Sequence, residues 1–275
     1  MSLCRFPAAA IALFFMLLAW LPGPSWSSAP QKDDLFDGRD GCFFIASLKD
    51  GKVIEQTGPA RCRERFSPCS TFKIPAAAMA FDRGIIDARR VFKWDGSDYG
   101  REACNHDQTI KSWIADSVVW VTQKLTAEIG MKDIVQYLKQ FSYGNCDMSG
   151  GIDRAWLSSS LKISAAEQVA FLRKLSLDEL PIKKSAQAET RELFRIESDG
   201  DDRLDGKTGS GLAGRGRKLG WFVGHVRHSG KDYVFALNFT DRFEGQTEGF
   251  AGMTARKMAL KRLSELGLWK PGAKR

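Results

Sequence analysis

The spacing of apolar residues changes twice along this 275-residue chain, and the order of the changes limits the fold. "CFFIASLKDGKVIEQ", residues 42–56, sets two apolar-rich arms about Asp50-Gly51, the strongest short hairpin signal. From Ser70 the period becomes helical. "AAAMAFDRG" continues a helix until Gly84 ends it, and Pro75 is tolerable there only near the helix start, where backbone donors are unpaired anyway. "TIKSWIADSVVWVTQKLTAEIG" and "MKDIVQYLKQF" carry apolar residues at three-to-four spacing and stop at Gly130 and Gly144. "SAAEQVAFLRKL" opens with Ser164 and Glu167, a capping box. Residues 143–163 between them read as a Gly-rich loop. After about residue 200 strands return in "GKTGS", "LGWFVGHVR" and "KDYVFALNF", the last two joined at Ser229-Gly230, and "TARKMALKRLSELG" closes the chain as a helix. Strands at both ends with helices between predict an α/β fold of the α+β layered kind. An antiparallel sheet forms from both chain ends (28–75 and 200–275) with flanking helices, and a mainly helical part, 76–199, is inserted. The site is then expected in the cleft between them.

Residues 1–27 read as a secretory signal. Arg5 supplies the positive charge, Ala8 to Leu21 run without a charged or polar side chain, and small residues follow Pro22-Gly23-Pro24. No later segment is long and apolar enough to act as a membrane anchor. Export makes the cysteines interpretable: with Cys4 removed, Cys42, Cys62, Cys69, Cys104 and Cys146 remain. Cys42 begins the hairpin and Cys62 follows its second arm, so a disulfide across the open end is expected in an oxidising compartment. The remaining number is odd, and at least one thiol stays unpaired in a monomer. No C-x-x-C pair exists and His225 and His228 point to opposite faces of one strand, so no metal site is expected. The formal net charge of +8 comes from scattered residues, which fits a solvated basic surface and anionic small molecules rather than nucleic acid.

Ser70 and Lys73 are neighbours on one helix face. A serine hydroxyl needs a base to become a nucleophile, and none of the three histidines suits. A lysine forced into apolar surroundings loses its charge and becomes one. Ser117 supplies a second hydroxyl and Lys207-Thr208-Gly209 a K-T-G strand, in the order that marks the penicillin-recognising serine enzymes. A phosphate-loop reading of Gly206-Lys207-Thr208 fails, because Gly200 is one residue too far back and Asp201, Asp202 and Asp205 would repel phosphate.

S-T-F-K at 70–73, S-V-V at 117–119, Y-G-N at 143–145, W-L at 156–157 and K-T-G at 207–209 together resemble the class D, oxacillinase-type β-lactamases over essentially the whole mature chain. The resemblance implies hydrolysis of β-lactams, penicillins and some cephalosporins, through a Ser70 acyl-enzyme. It implies N-carboxylation of Lys73 by carbon dioxide, with Phe72, Val119 and Trp156 around the carbamate. It gives Ser117 and Lys207 proton transfer, the backbone N–H groups of Ser70 and Ser210 the oxyanion, and Thr208, Gly209 and Arg256 the substrate carboxylate. Tyr143, Gly144 and Asn145 are mainly structural, and no cofactor beyond carbon dioxide or bicarbonate is implied. The family setting is periplasmic, with monomer and homodimer both open. Many relatives carry a bulky aromatic after K-T-G, where this chain has Ser210 and Gly211. The alternative reading is a penicillin-binding or β-lactam-sensing protein that acylates and deacylates slowly.

Overall fold

A computed structural model describes residues 34–270, so the expected leader at 1–27 lies outside the described residues. The hairpin forms as β1 (Asp40–Ser47) and β2 (Val53–Thr57), with Gly51 at φ 72° in its turn. Cys42 and Cys62 are joined in a disulfide. A 3-10 turn, Cys69–Phe72, runs directly into α1 (Lys73–Asp82). Two short strands, β3 (Val91–Phe92) and β4 (Gln108–Thr109), pair with each other. Then come α2 (Ile110–Ala115), α3 (Val119–Ile129), α4 (Met131–Phe141), α5 (Ala165–Ser176) and α6 (Lys184–Leu193). Strands β5 (Arg195–Asp199), β6 (Asp202–Leu212), β7 (Lys218–His228) and β8 (Lys231–Thr240) precede α7 (Ala251–Glu265).

One six-stranded sheet, in the order β2-β1-β8-β7-β6-β5, is antiparallel throughout. The two ends of the chain meet where β1 pairs with β8, Cys42 opposite Asn238 and Ile45 opposite Phe235. Period-two alternation sorts the strands into two cores. Phe43, Ile45, Phe222, Phe235 and Leu237 pack with Ala255, Ala259 and Leu263 of α7. Cys42, Trp221, Val223, Val234 and Ala236 belong to the opposite core, with α1, α3 and α5. Each fully buried Leu, Ile or Phe in these cores contributes about 1.5–3 kcal/mol.

Three local features differ from the sequence expectation. The helix expected over "TIKSWIADSVVWVTQKLTAEIG" is interrupted, because Val118 N bonds back to Trp113 O at 3.0 Å and Ser117 takes a left-handed φ of 55°. That is a Schellman end to α2, so Ser117 lies in a break between helices rather than on one. Helix α4 ends at Phe141 through Ser142, φ 56°, before Gly144 is reached. The third difference is α6 with β5. "KSAQAETREL" and "RIESD" are too polar to signal themselves, yet β5 completes the sheet edge against residues 202–205 of β6. No helix among the described residues is long and apolar enough to cross a membrane.

Candidate active site

The turn carrying Ser70 is held from three directions. Cys69 N donates to Trp156 O at 3.0 Å, Trp221 Nε1 to Ser67 O at 3.0 Å, and Gln168 Nε2 to Thr71 Oγ1 at 2.9 Å. Thr71 Oγ1 in turn donates to Pro68 O at 2.8 Å. Cys69 takes a φ of 52°, a conformation that costs a non-glycine residue about 1–3 kcal/mol unless its surroundings enforce it, as these bonds do. Burial pushes the Cys69 thiol up to about 12, so it stays protonated beside the half-buried Ser70 hydroxyl. Fixing this turn at the start of α1 leaves Ser70 half-exposed and turns Lys73 inward.

Lys73 is fully buried. Its Nζ has no hydrogen-bond partner among the described residues and stands 5.5 Å from the centre of the Trp156 ring. Burial, and then the charges of Lys207 and Arg101, hold its proton affinity well below that of an ordinary lysine. Trp156 is also fully buried, and its Nε1, a group that can only donate, lacks an acceptor. Phe72 stacks on Trp156 at 5.7 Å and meets Tyr143 edge-on at 6.4 Å. Val119 departs from the expected pocket: it is 38% exposed, while Val118 beside it is buried.

The Y-G-N segment secures the loop that carries Trp156. Gly144 has φ 60°, and a Cβ there would fall 2.0 Å from Lys162 O, so only glycine fits. Asn145 donates from Nδ2 to Ser160 O at 2.8 Å and accepts from Lys162 N at 2.9 Å. Tyr143 is buried against Phe171, and burial raises its phenol above the ordinary range.

K-T-G lies in mid β6. Gly209 abuts the Ser70 turn, since a Cβ there would come 2.9 Å from Pro68 O and 3.2 Å from Thr71 Cγ2. That close approach brings the Ser210 segment alongside Ser70. Strand β5 pairs with β6 only through Asp205, so the β6 edge beyond it carries no strand partner and leaves backbone groups to a ligand. Lys207 is buried, with Nζ 3.2 Å from Thr208 O, and burial with Arg101 pulls it down to about 8. The Ser210 hydroxyl is already engaged, accepting from Gly252 N at 2.8 Å. Thr208, Lys207 and Arg256 line a cavity of about 750 Å³ with Ile114, Phe222 and Met253. Arg256 Nε is buried without a partner there.

Arg101 escaped sequence reasoning, because no motif surrounds it. It donates from Nη1 to Asp116 O at 2.5 Å, next to Ser117, and lies 5.5 Å from the Phe250 ring centre. Its charge reaches both Lys73 and Lys207. The histidines take structural roles: His225 Nε2 is 2.7 Å from Asp232 and His228 Nδ1 is 2.6 Å from Asp202.

Residues 41–263 match the family described as the penicillin binding protein transpeptidase domain. The chain is 42% identical over 243 residues to β-lactamase OXA-1 of Escherichia coli, spanning 85% of this chain and 87% of that one. It is 36% identical over 238 residues to the probable β-lactamase YbxI of Bacillus subtilis, spanning 86% and 84%. A class D β-lactamase structure from Bacillus subtilis matches with a TM-score of 0.78 at 34% identity, over 87% of this chain and 96% of that chain. The class D enzyme FUS-1 of Fusobacterium nucleatum gives 0.77 at 30% identity, over 85% and 95%. With its buried lysine beside a fixed serine and K-T-G on the adjoining strand, the chain belongs to the class D β-lactamases.

Proposed function

We propose that this enzyme opens penicillins and some cephalosporins through a Ser70 acyl-enzyme, with Lys73 N-carboxylated as the general base. The observation that carries the proposal is the pair of buried donors without acceptors, Lys73 Nζ and Trp156 Nε1, in one apolar pocket. A carbamate on Lys73 supplies a carboxylate that accepts from Trp156 and faces Ser70. A neutral amine is needed to add to carbon dioxide, and the depressed proton affinity of Lys73 provides one.

In the acylation half, Ser70 Oγ gives up its proton towards Lys73 and attacks the lactam carbonyl. The backbone N–H groups of Ser70 and Ser210 receive the developing oxyanion, each such donor being worth about 3 kcal/mol. Ser117, with Lys207 behind it, passes a proton to the ring nitrogen as the C–N bond breaks. Thr208, Gly209 and Arg256 hold the substrate carboxylate. In the second half water attacks the ester, Ser70 recovers its proton, and the ring-opened acid leaves. Confinement of this activity to an oxidising compartment such as the periplasm, where it would confer β-lactam resistance, is supported by the Cys42–Cys62 disulfide.

The test is a time course of penicillin hydrolysis by the purified protein, with and without bicarbonate. Sustained turnover that bicarbonate raises, or restores after acid treatment, is the expected outcome. One equivalent of product followed by silence would mean that deacylation is missing, and would favour a sensor. Sustained turnover indifferent to bicarbonate would remove the carbamate and leave the serine chemistry.

A further inference from the structure

A cavity of about 1150 Å³ is lined by none of the catalytic groups. Its walls come from the start of β1, residues 57–67, the loop around Ser158 and the turn between β6 and β7. Arg39, Arg61, Arg65, Lys162, Arg217 and Arg242 line it, against only Asp40 and Glu64.

Three of these cations are already paired. Arg39 Nε lies 3.2 Å from Asp241, Arg65 pairs with Glu167, and Arg242 Nε lies 3.0 Å from Asp40. Arg61 and Arg217 differ. Arg61 is fixed by Nε donating to Asn238 Oδ1 at 3.0 Å and by its guanidinium lying 4.2 Å over the Phe66 ring. Among the described residues the Arg217 side chain donates to Ala213 O, at 3.4 Å. Neither forms an ion pair among the described residues. Arg61 Nη2 and Arg217 Nε are buried without an acceptor among the described residues. The two guanidinium groups come from separate segments that meet at the cavity wall.

A guanidinium does not shed its proton near neutral pH, so the cavity keeps its charge. Burial pulls Arg61 down to about 10, with Glu64 and Asp40 opposing the shift and Arg217 adding to it. Planar guanidinium forks match an oxyanion with several oxygens, above all a phosphate. The volume lies just above the usual range for small-molecule sites, roughly 300–1,000 Å³, and far exceeds what a lone ion needs.

We propose that this cavity binds a phosphate-bearing small molecule, with Arg61 and Arg217 donating to the phosphate oxygens and Lys162 at the rim. The site is separate from the β-lactam chemistry and does not rest on it. Among the residues lining the cavity, Ser158 accepts from Leu212 N at 2.9 Å, close behind the K-T-G strand.

The test is calorimetric titration of the purified protein with pyrophosphate and with inorganic phosphate, at ionic strength matched with sodium chloride. The expected result is saturable binding at one site, tighter for pyrophosphate. Arg217→Gln should weaken it at least tenfold, and Lys162→Gln, at an exposed position that leaves the fold intact, about threefold. Arg89→Gln, at an exposed arginine outside the cavity, should change nothing, and penicillin turnover checks that each variant is folded. Absence of binding, equal affinity in Arg217→Gln and Lys162→Gln, or heat reproduced by chloride alone would overturn the proposal.

Discussion

Arg39 and Lys73 are both cations taken out of water, and the protein treats them in opposite ways. Arg39 meets Asp241 at 3.2 Å, Thr247 Oγ1 at 2.9 Å and Gln246 O at 3.0 Å, so its charge is compensated. Asp241 itself is fully buried, with Thr247 N and Oγ1 donating to it. Lys73, buried as completely as Asp241, has no carboxylate and no acceptor. Its amine lies by Trp156, on which Phe72 stacks, and the charges that act most on it are the repelling Lys207 and Arg101. A structural cation is buried together with its partner. A lysine that is to carry a carbamate, as proposed for Lys73, is buried without one, which favours the neutral amine.

The largest effect should come from exchanging the two treatments. Lys73→Ala should cut steady-state penicillin hydrolysis by about 10²–10⁴-fold, the usual range for loss of a general base. Asp241→Asn, which strips Arg39 of its counter-charge, should cost about 3–5 kcal/mol in denaturant unfolding. Turnover per folded molecule should be nearly unchanged. If Asp241→Asn proved harmless, the partner would not be what makes the position of Arg39 tolerable.

Trp156→Phe keeps an aromatic ring in the Lys73 pocket but removes the N–H together with the volume of the fused ring. A hydrogen bond to a charged group is worth about 1.5–3 kcal/mol, so bicarbonate should half-saturate activity at about 10–100-fold higher concentration. Excess bicarbonate should restore turnover. A loss that bicarbonate cannot repair would assign Trp156 to packing alone.

Lys207 lies between the two extremes, buried but bonded to Thr208 and held at about 8. If its ammonium form delivers the proton to the leaving nitrogen, kcat/KM falls as pH rises through about 8, approaching tenfold per pH unit beyond it. Lys207→Arg keeps the charge to far higher pH and should flatten that limb. An unchanged limb would place the titrating group elsewhere.

The contrast also marks where sequence stops being informative. Ser70, Lys73 and the K-T-G strand could be read because their spacing and apolar company are local. The hairpin of β1, the capping box of α5 and the strands β7 and β8 were readable for the same reason. Nothing local reveals that Arg39 finds Asp241 some two hundred positions away, or that Arg101 reaches Lys73. The break at Ser117 hid inside a continuous helical period, because its cause is backbone bonding to Trp113 O rather than a glycine. Segments α6 and β5 were silent because their polar sequences follow the elements they pack against.

The smallest effect carries the sharpest sign. In buffer free of carbon dioxide, burial holds native Lys73 well below the 10.5 at which the unfolded chain's lysine titrates. Between the depressed native value and 10.5 the unfolded chain binds the extra proton, so wild-type stability rises with pH relative to a variant without the amine. Lys73→Met, similar in volume, should therefore be the more stable protein near neutrality. Its advantage should shrink by at most about 1.4 kcal/mol per pH unit and fade as the pH approaches 10.5. Unfolding curves for both proteins between about pH 6 and pH 9 decide it. Parallel curves would mean that Lys73 keeps its proton when buried, like Arg39, and the distinction between the two cations would fail.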